Sequence, residues 1–219
     1  MSSTPHYPTV LFDLDGTLTD PLEGITRSIR YALERLGRPP LSDVVLRDWI
    51  GPSLRSSLAG VLDGDEAMVE RGMALYRERY APTGIFENRI YPGIPELLAD
   101  LASAGSCVCL ATSKPQIFAQ RILEHFGIIG HFTVIGGATL DTSRDSKADV
   151  IAYVLGELPA AARADAIMVG DREHDVIGAR QNGLPTIGVT YGYGSRAELA
   201  AAGAAALAAD VATLRNLLL

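Results

Sequence analysis

The run Val10-Leu11-Phe12-Asp13-Leu14-Asp15-Gly16-Thr17-Leu18-Thr19 constrains the chain most: an apolar stretch ends in two acids and breaks at a glycine. Side chains of a strand alternate between faces, so Asp13 and Asp15 are expected to project to one side at the strand's carboxyl end. In a parallel sheet that edge borders the crevice where ligands bind. Two like charges wedged among Phe12, Leu14 and Leu18 need a cation or a shared proton to be tolerated. Magnesium suits such a pair, because it takes hard oxygen ligands and keeps some of its waters. Asp and Gly are also common turn formers, so a plain turn is the competing reading of these four residues.

Beyond Thr19 the pattern changes. From Pro21 to about Arg79 no strand is evident, and helical spacing dominates in Ile25, Ile29, Leu33 and Leu36, ended by Gly37 and Pro39-Pro40. Further helices are expected after the N-cap Ser42, over Leu54–Leu62, and over Glu66–Tyr80. From Ile90 strands and helices alternate, the pattern of a doubly wound sheet. The expected helices are Ile94–Ala104, Pro115–Phe126, Lys147–Leu155, Val176–Asn182 and Val211–Leu218. The expected strands are Ser106–Ala111, Phe132–Ile135, Ala166–Val169 and Thr186–Val189. The fold class is therefore α/β: a doubly wound, Rossmann-like parallel sheet as core (1–19 and 84–219) with an inserted all-helical cap (20–83).

Three later stretches can carry chemistry. In Ala111-Thr112-Ser113-Lys114-Pro115 hydroxyls stand where a strand ends and a helix begins, a place that can hold an anion and that equally calls for an ordinary cap. Lys147 opens a helix, where the dipole disfavours a cation, so it is either a solvated surface lysine or one placed there for another reason; Lys114 is its rival. In Met168-Val169-Gly170-Asp171-Arg172-Glu173-His174-Asp175 a strand runs into acids four apart, able to complete an oxygen cage begun by Asp13. His174 reads as a loop residue, and Asp141 and Asp145 as solvated turn acids.

Asp-Leu-Asp-Gly-Thr-Leu after a strand, followed in order by Thr112, Lys147 and Asp171, resembles the signature of the haloacid dehalogenase superfamily, dominated by magnesium-dependent phosphohydrolases. The resemblance implies that Asp13 is the nucleophile, Asp15 the acid and base, and Thr112 with Ser113 the phosphate holder. It implies that Lys147 neutralises phosphate and holds the nucleophile. Mg2+ would be bound by Asp13, the Asp15 main-chain carbonyl and Asp171, with Asp175 in support. The acid at Asp15 points to a phosphatase or phosphomutase, since dehalogenating members lack it. Arg172 departs from the small hydroxyl residue usual at its place. The lid resembles the small cap of the phosphoglycolate phosphatase-like branch, with Trp49–Arg55 the loop expected to face the site and Arg55 either an anion clamp or a surface residue. The wording around Thr112, Asp171 and Gly192-Tyr193-Gly194 is similar to bacterial 5′-nucleotidases. A phosphomutase and a non-catalytic phosphate-binding module are the alternatives.

Composition narrows the partners. Of 219 residues 47% are hydrophobic, enough for a sizeable core, and the formal charge of −7 argues against binding a polyanion over a broad surface. A small phosphorylated metabolite is the expected partner, with no nucleic acid and no membrane, for a monomer or small homo-oligomer. Cys107 and Cys109 lie two apart in an apolar run without interleaved ligands and read as core residues. Residues 1–8 read as a flexible arm that lacks the basic start and apolar stretch of a signal peptide. Leu199–Ala209 is too short to span a bilayer, so a cytoplasmic protein is expected.

Overall fold

The computed structural model describes residues 7–219. In chain order it contains β1 (Thr9–Phe12), β2 (Thr19–Asp20), α1 (Leu22–Arg35), α2 (Asp43–Asp48), α3 (Leu54–Val61), α4 (Glu66–Tyr80) and β3 (Arg89–Ile90). There follow α5 (Ile94–Ala104), β4 (Cys107–Pro115), α6 (Gln116–His125), β5 (Val134–Ala138), α7 (Lys147–Glu157), α8 (Ala160–Arg163) and β6 (Ala166–Gly170). The chain closes with α9 (Glu173–Gln181), β7 (Thr186–Val189), α10 (Arg196–Ala202), β8 (Ala206–Ala208) and α11 (Val211–Leu218). These elements form two compact units, a core that runs to Asp20 and resumes at Ile90, and a helical unit over Pro21–Arg89.

The core is built on a six-stranded sheet of order β5-β4-β1-β6-β7-β8, every neighbouring pair parallel. Parallel sheets are covered on both faces and their central strands are apolar throughout. β1 obeys this: Thr9, Val10, Leu11 and Phe12 are all buried. It pairs with β4 on one side and β6 on the other, so the crevice where strand order reverses opens at the carboxyl ends of these three strands. Asp13, Thr112 and Asp171 stand there.

Strand β4 runs to Pro115, four residues beyond the apolar stretch that ends at Ala111. Its pairing with β5 shifts register between Thr112 and Pro115, a bulge. Gly137 makes room for it: a Cβ there would lie 2.7 Å from the Lys114 carbonyl oxygen and 2.6 Å from the Gln116 Cα. A bulge re-aims the side chains that follow it, and here it delivers Lys114 to the site.

The Ala-rich stretch after Ser195, which shows no clear period, divides into α10, a left-handed stop at Gly203 and the edge strand β8. Of the arm over residues 1–8, residues 1–6 lie outside the described residues. Pro8 is tied to the sheet, its carbonyl accepting from the Cys107 amide at 2.7 Å. Cys109 belongs to the core cluster with Leu11, Val150 and Met168, Cys107 packs partly buried against it, and both thiols are free.

The helical unit holds α1 to α4. Ile25, Ile29 and Leu33 form the buried stripe of α1, and Val69, Tyr76 and Tyr80 that of α4, where the two tyrosine rings stack at 5.0 Å. Ser42 caps α2 by accepting from the Val45 amide at 3.4 Å, and Asp65 caps α4 through the Met68 amide at 3.1 Å. Among the described residues no helix is long and apolar enough to cross a membrane.

Candidate active site

Asp13 follows β1 directly, and its amide donates to the Val169 carbonyl at 2.9 Å, so the ladder with β6 sets its position. Asp13 is 5% exposed and Asp15 8%. The sequence leads one to expect a cation or a shared proton beside these two acids, and each has a lysine ammonium at contact. Lys147 Nζ lies 2.8 Å from Asp13 Oδ1, and Lys114 Nζ 2.7 Å from Asp15 Oδ2. Lys114, a rival of Lys147 in the sequence, is thus its counterpart on the second acid. The bulge in β4 that permits this has no period to betray it in sequence.

Lys147 is the first residue of α7 and is buried, not solvated. Ser146 caps the helix by accepting from the Asp149 amide at 3.1 Å, which leaves the Lys147 side chain to turn inward. It bridges Asp13 and Asp175 Oδ1, each at 2.8 Å, and donates to the Ala111 carbonyl at 3.1 Å. Burial pushes Lys147 down, but Asp13 and Asp175 outweigh it and hold the ammonium above the ordinary lysine range. The dipole cost at a helix start is a few tenths of a kcal/mol to about 1, small beside two carboxylates at contact.

Asp171 follows β6, and Asp175 lies in the first turn of α9, where its Oδ2 accepts from the Arg172 amide at 3.0 Å. One ligand oxygen from each of Asp13, Asp171 and Asp175 lies within 4.8 Å of the others, all buried. Burial, then Asp175 and Asp13, push Asp171 well above the carboxylate range. Burial also raises Asp175, against the pull of Lys147. One lysine serves three crowded carboxylates, so the cluster is short of positive charge whenever its acids are ionised. Asp171 Oδ1 is buried with no hydrogen-bond partner, which costs about 1–3 kcal/mol or more for a charged group. A hard divalent cation answers both deficits, and an all-oxygen donor set selects Mg2+, Ca2+ or Mn2+ over thiolate- or imidazole-seeking metals.

The Asp15 carboxylate lies outside this cluster. Burial raises it above the ordinary carboxylate range, although Lys114 pulls the other way, and its Oδ1 has no hydrogen-bond partner. Gly16 follows in the left-handed region (φ 83°), and a Cβ there would stand 2.1 Å from Asp171 Oδ2. The glycine therefore both makes the turn after Asp15 and admits Asp171.

Thr112 is buried, its Oγ1 accepting from the Lys114 amide at 3.2 Å, and Ser113 is half-buried beside it. His174 is exposed in the first turn of α9. Arg172, the departure from the usual small hydroxyl, turns away to Glu198 on α10, its Nε 2.8 Å from Oε1. Asp141 is exposed in a turn, held down to about 2 by hydrogen bonds from Thr139 and Ser143. In the helical unit, Arg55 sits in the first turn of α3 paired with Glu66 at 3.3 Å and with Glu70. Its guanidinium is already matched by two carboxylates.

Sequence reading also passed over the role of Tyr193. Its amide donates to Asp171 Oδ2 at 2.8 Å and its hydroxyl to Asp20. Burial and Asp20 hold the phenol far above its ordinary range, so it stays a donor. The alternation Tyr191-Gly192-Tyr193-Gly194 is the sequence trace of this arrangement.

Comparison with known proteins agrees with this geometry. Residues 10–189 match the family model for haloacid dehalogenase-like hydrolases. A 5′-nucleotidase of Pseudomonas aeruginosa is 46% identical over 213 residues, covering 97% of this chain and 96% of that protein. Tyrosine-protein kinase PtkA of Mycobacterium tuberculosis is 45% identical over 186 residues, 84% of this chain but 62% of its own length. Among solved structures, that of a predicted phosphatase from Clostridium acetobutylicum superposes with a TM-score of 0.90 at 43% identity, covering 96% of this chain and 97% of that one.

Proposed function

The chain belongs to the haloacid dehalogenase-like hydrolase family, as a phosphoric monoester hydrolase, and from that premise we propose a Mg2+-dependent phosphatase that works through an aspartyl-phosphate. The observation that carries this reading is the buried Asp13 carboxylate, held at 2.8 Å by Lys147 inside a three-carboxylate cluster whose Asp171 Oδ1 lacks any partner.

An Asp13 oxygen forms the bond to phosphorus as the ester oxygen of the substrate leaves with the bonding pair, and Asp15 gives that oxygen its proton. Elevation of the Asp15 pKa by burial favours the protonated form needed for this step. Asp15, now a carboxylate, then takes a proton from the water that attacks the aspartyl-phosphate, releasing inorganic phosphate and restoring Asp13. Lys114 steadies Asp15 in its charged state between the two steps. Lys147 neutralises Asp13 and the incoming phosphoryl oxygens, while Thr112 and Ser113 offer hydroxyls at the edge of β4. Asp13, Asp171 and Asp175 would hold Mg2+ together with the Asp15 main-chain carbonyl. The ion supplies charge neutralisation for the transferring phosphoryl group.

The substrates proposed are small phosphomonoesters, 5′-nucleotides first, on the strength of the nucleotidase relative covered over nearly its whole length, with phosphoglycolate next. In this reading 20–83 is the cap that sets substrate specificity, and Arg55 is its anion clamp, exchanging Glu66 and Glu70 for substrate. The decisive experiment is phosphate release with Mg2+ from nucleoside monophosphates, phosphoglycolate and sugar phosphates. Asp13→Asn is expected to lose at least about 10^3-fold of turnover. No release from any substrate, or full release by Asp13→Asn, overturns the mechanism, and sugar-phosphate interconversion without release makes the protein a mutase.

A further inference from the structure

The segment Tyr191-Gly192-Tyr193-Gly194 follows β7 and alternates ring with bare backbone. Its glycines lie against Asp171. A Cβ on Gly192 would come within 2.5 Å of Asp171 Oδ2, and one on Gly194 within 1.9 Å of the Asp171 carbonyl oxygen. That approach lets the Tyr193 amide donate to Asp171 Oδ2 at 2.8 Å.

The two phenols serve another stretch of the core. Tyr191 donates its hydroxyl to the Thr17 carbonyl at 2.9 Å, and Tyr193 donates its own to Asp20 Oδ1. Tyr91, where the chain re-enters the core, packs edge-on against Tyr191 with centroids 5.0 Å apart, and its amide donates to the Leu18 carbonyl at 3.0 Å. Thr17–Asp20 is the path by which the chain leaves the core, and Asp20 is its last residue there. Any residue but proline at 193 would offer Asp171 an amide. Only tyrosine adds a hydroxyl that reaches Asp20.

We propose that Tyr193 is a positioning residue that couples Asp171 to the outgoing segment Thr17–Asp20, so that divalent-cation binding at the acidic cluster and ordering of that segment promote one another. This rests on the metal reading above. A cation that fixes Asp171 fixes the Tyr193 main chain beside it, and with it the reach of the phenol to Asp20. Linkage makes the effect reciprocal: a segment held by Tyr193 presents Asp171 already oriented.

The test is Mg2+ titration calorimetry and amide hydrogen exchange of residues 17–20, with and without Mg2+, on the wild type, Tyr193→Phe, Asp20→Ala and the double variant. Tyr193→Phe keeps the ring and the amide bond to Asp171, and its melting curve without Mg2+ checks that it is folded. The wild type is expected to slow exchange at 17–20 on binding Mg2+. Tyr193→Phe should bind Mg2+ about tenfold more weakly, the scale of one hydrogen bond to a charged group, and show no such slowing. The double variant should be no weaker than either single one, because both cut the same link. Asp20→Asn, which keeps an acceptor, should restore most of the affinity lost in Asp20→Ala. Wild-type Mg2+ affinity and slowing in Tyr193→Phe, or additive losses in the double variant, overturn the coupling alone. A wild type that takes up no Mg2+ overturns the metal reading and the coupling with it.

Discussion

Pairs of opposite charge serve different ends in the two units. In the core, the side chains of the Lys147–Asp13, Lys147–Asp175 and Lys114–Asp15 pairs are between 1% and 12% exposed. In the helical unit, Arg30–Asp43, Arg38–Asp63 and Arg55–Glu70 join side chains from 30% to 90% exposed. Water screens the second group, and such pairs are worth about 0–1 kcal/mol each. Nothing screens the first group, where removing one partner strands a charge at a cost of about 3–5 kcal/mol. Proximity of opposite charges therefore says little by itself, and burial decides whether a pair shapes chemistry or merely decorates a surface.

Breaking the core side of this contrast should have the largest effect. Lys147→Met leaves Asp13 and Asp175 without their cation, so turnover should fall about 10^2–10^3-fold and unfolding free energy by about 3 kcal/mol, read from steady-state rates and urea unfolding. An unchanged unfolding midpoint would refute the contrast. Supplying charge should do the reverse: Mg2+ at 100 times its dissociation constant should stabilise the protein by about 2.7 kcal/mol, an effect that thermal melts with and without chelator measure. Asp171→Asn should blunt it.

Glu87 tests the helical unit at its least exposed pair. Hydrogen bonds from Arg79 and then Arg27, each at 2.8 Å, hold its carboxyl below the ordinary range, despite partial burial. Below the unfolded value of 4.5 the unfolded chain takes up a proton that the folded carboxylate resists, so this stabilisation, complete above that pH, is lost as pH falls through the folded value. Melting temperatures should accordingly fall less steeply on acidification in Glu87→Gln than in the wild type. Smallest of all, Arg55→Ala should change stability by less than about 1 kcal/mol, because Glu66 and Glu70 remain solvated when it goes. A KM raised tenfold by the same substitution would identify Arg55 as a substrate clamp.

Much of this could be read along the chain. The 3.6-residue spacing of Ile25, Ile29 and Leu33 marks α1, and a glycine in the left-handed region stops α5 at Gly105. The continuous burial of β1 and β6 appears as unbroken apolar runs. Less legible were β8, three residues at a sheet edge inside an Ala-rich run, and α8, a single turn after Pro159. Short elements carry too few residues to show a period, and partners supply their stability. The bulge that carries β4 past Ala111 escaped for the same reason.

Sequence alone determined that acids would follow the apolar runs of β1 and β6 and that hydroxyls would follow the apolar run of β4, because apolar runs and breaking residues are local properties. It did not determine which lysine answers which acid. Lys147 meets Asp13 from a helix 134 residues away, and Lys114 meets Asp15 only because β4 bulges against Gly137. Charge pairing is set by distance and dielectric, and neither exists until the sheet has brought its strand ends together and excluded water from them.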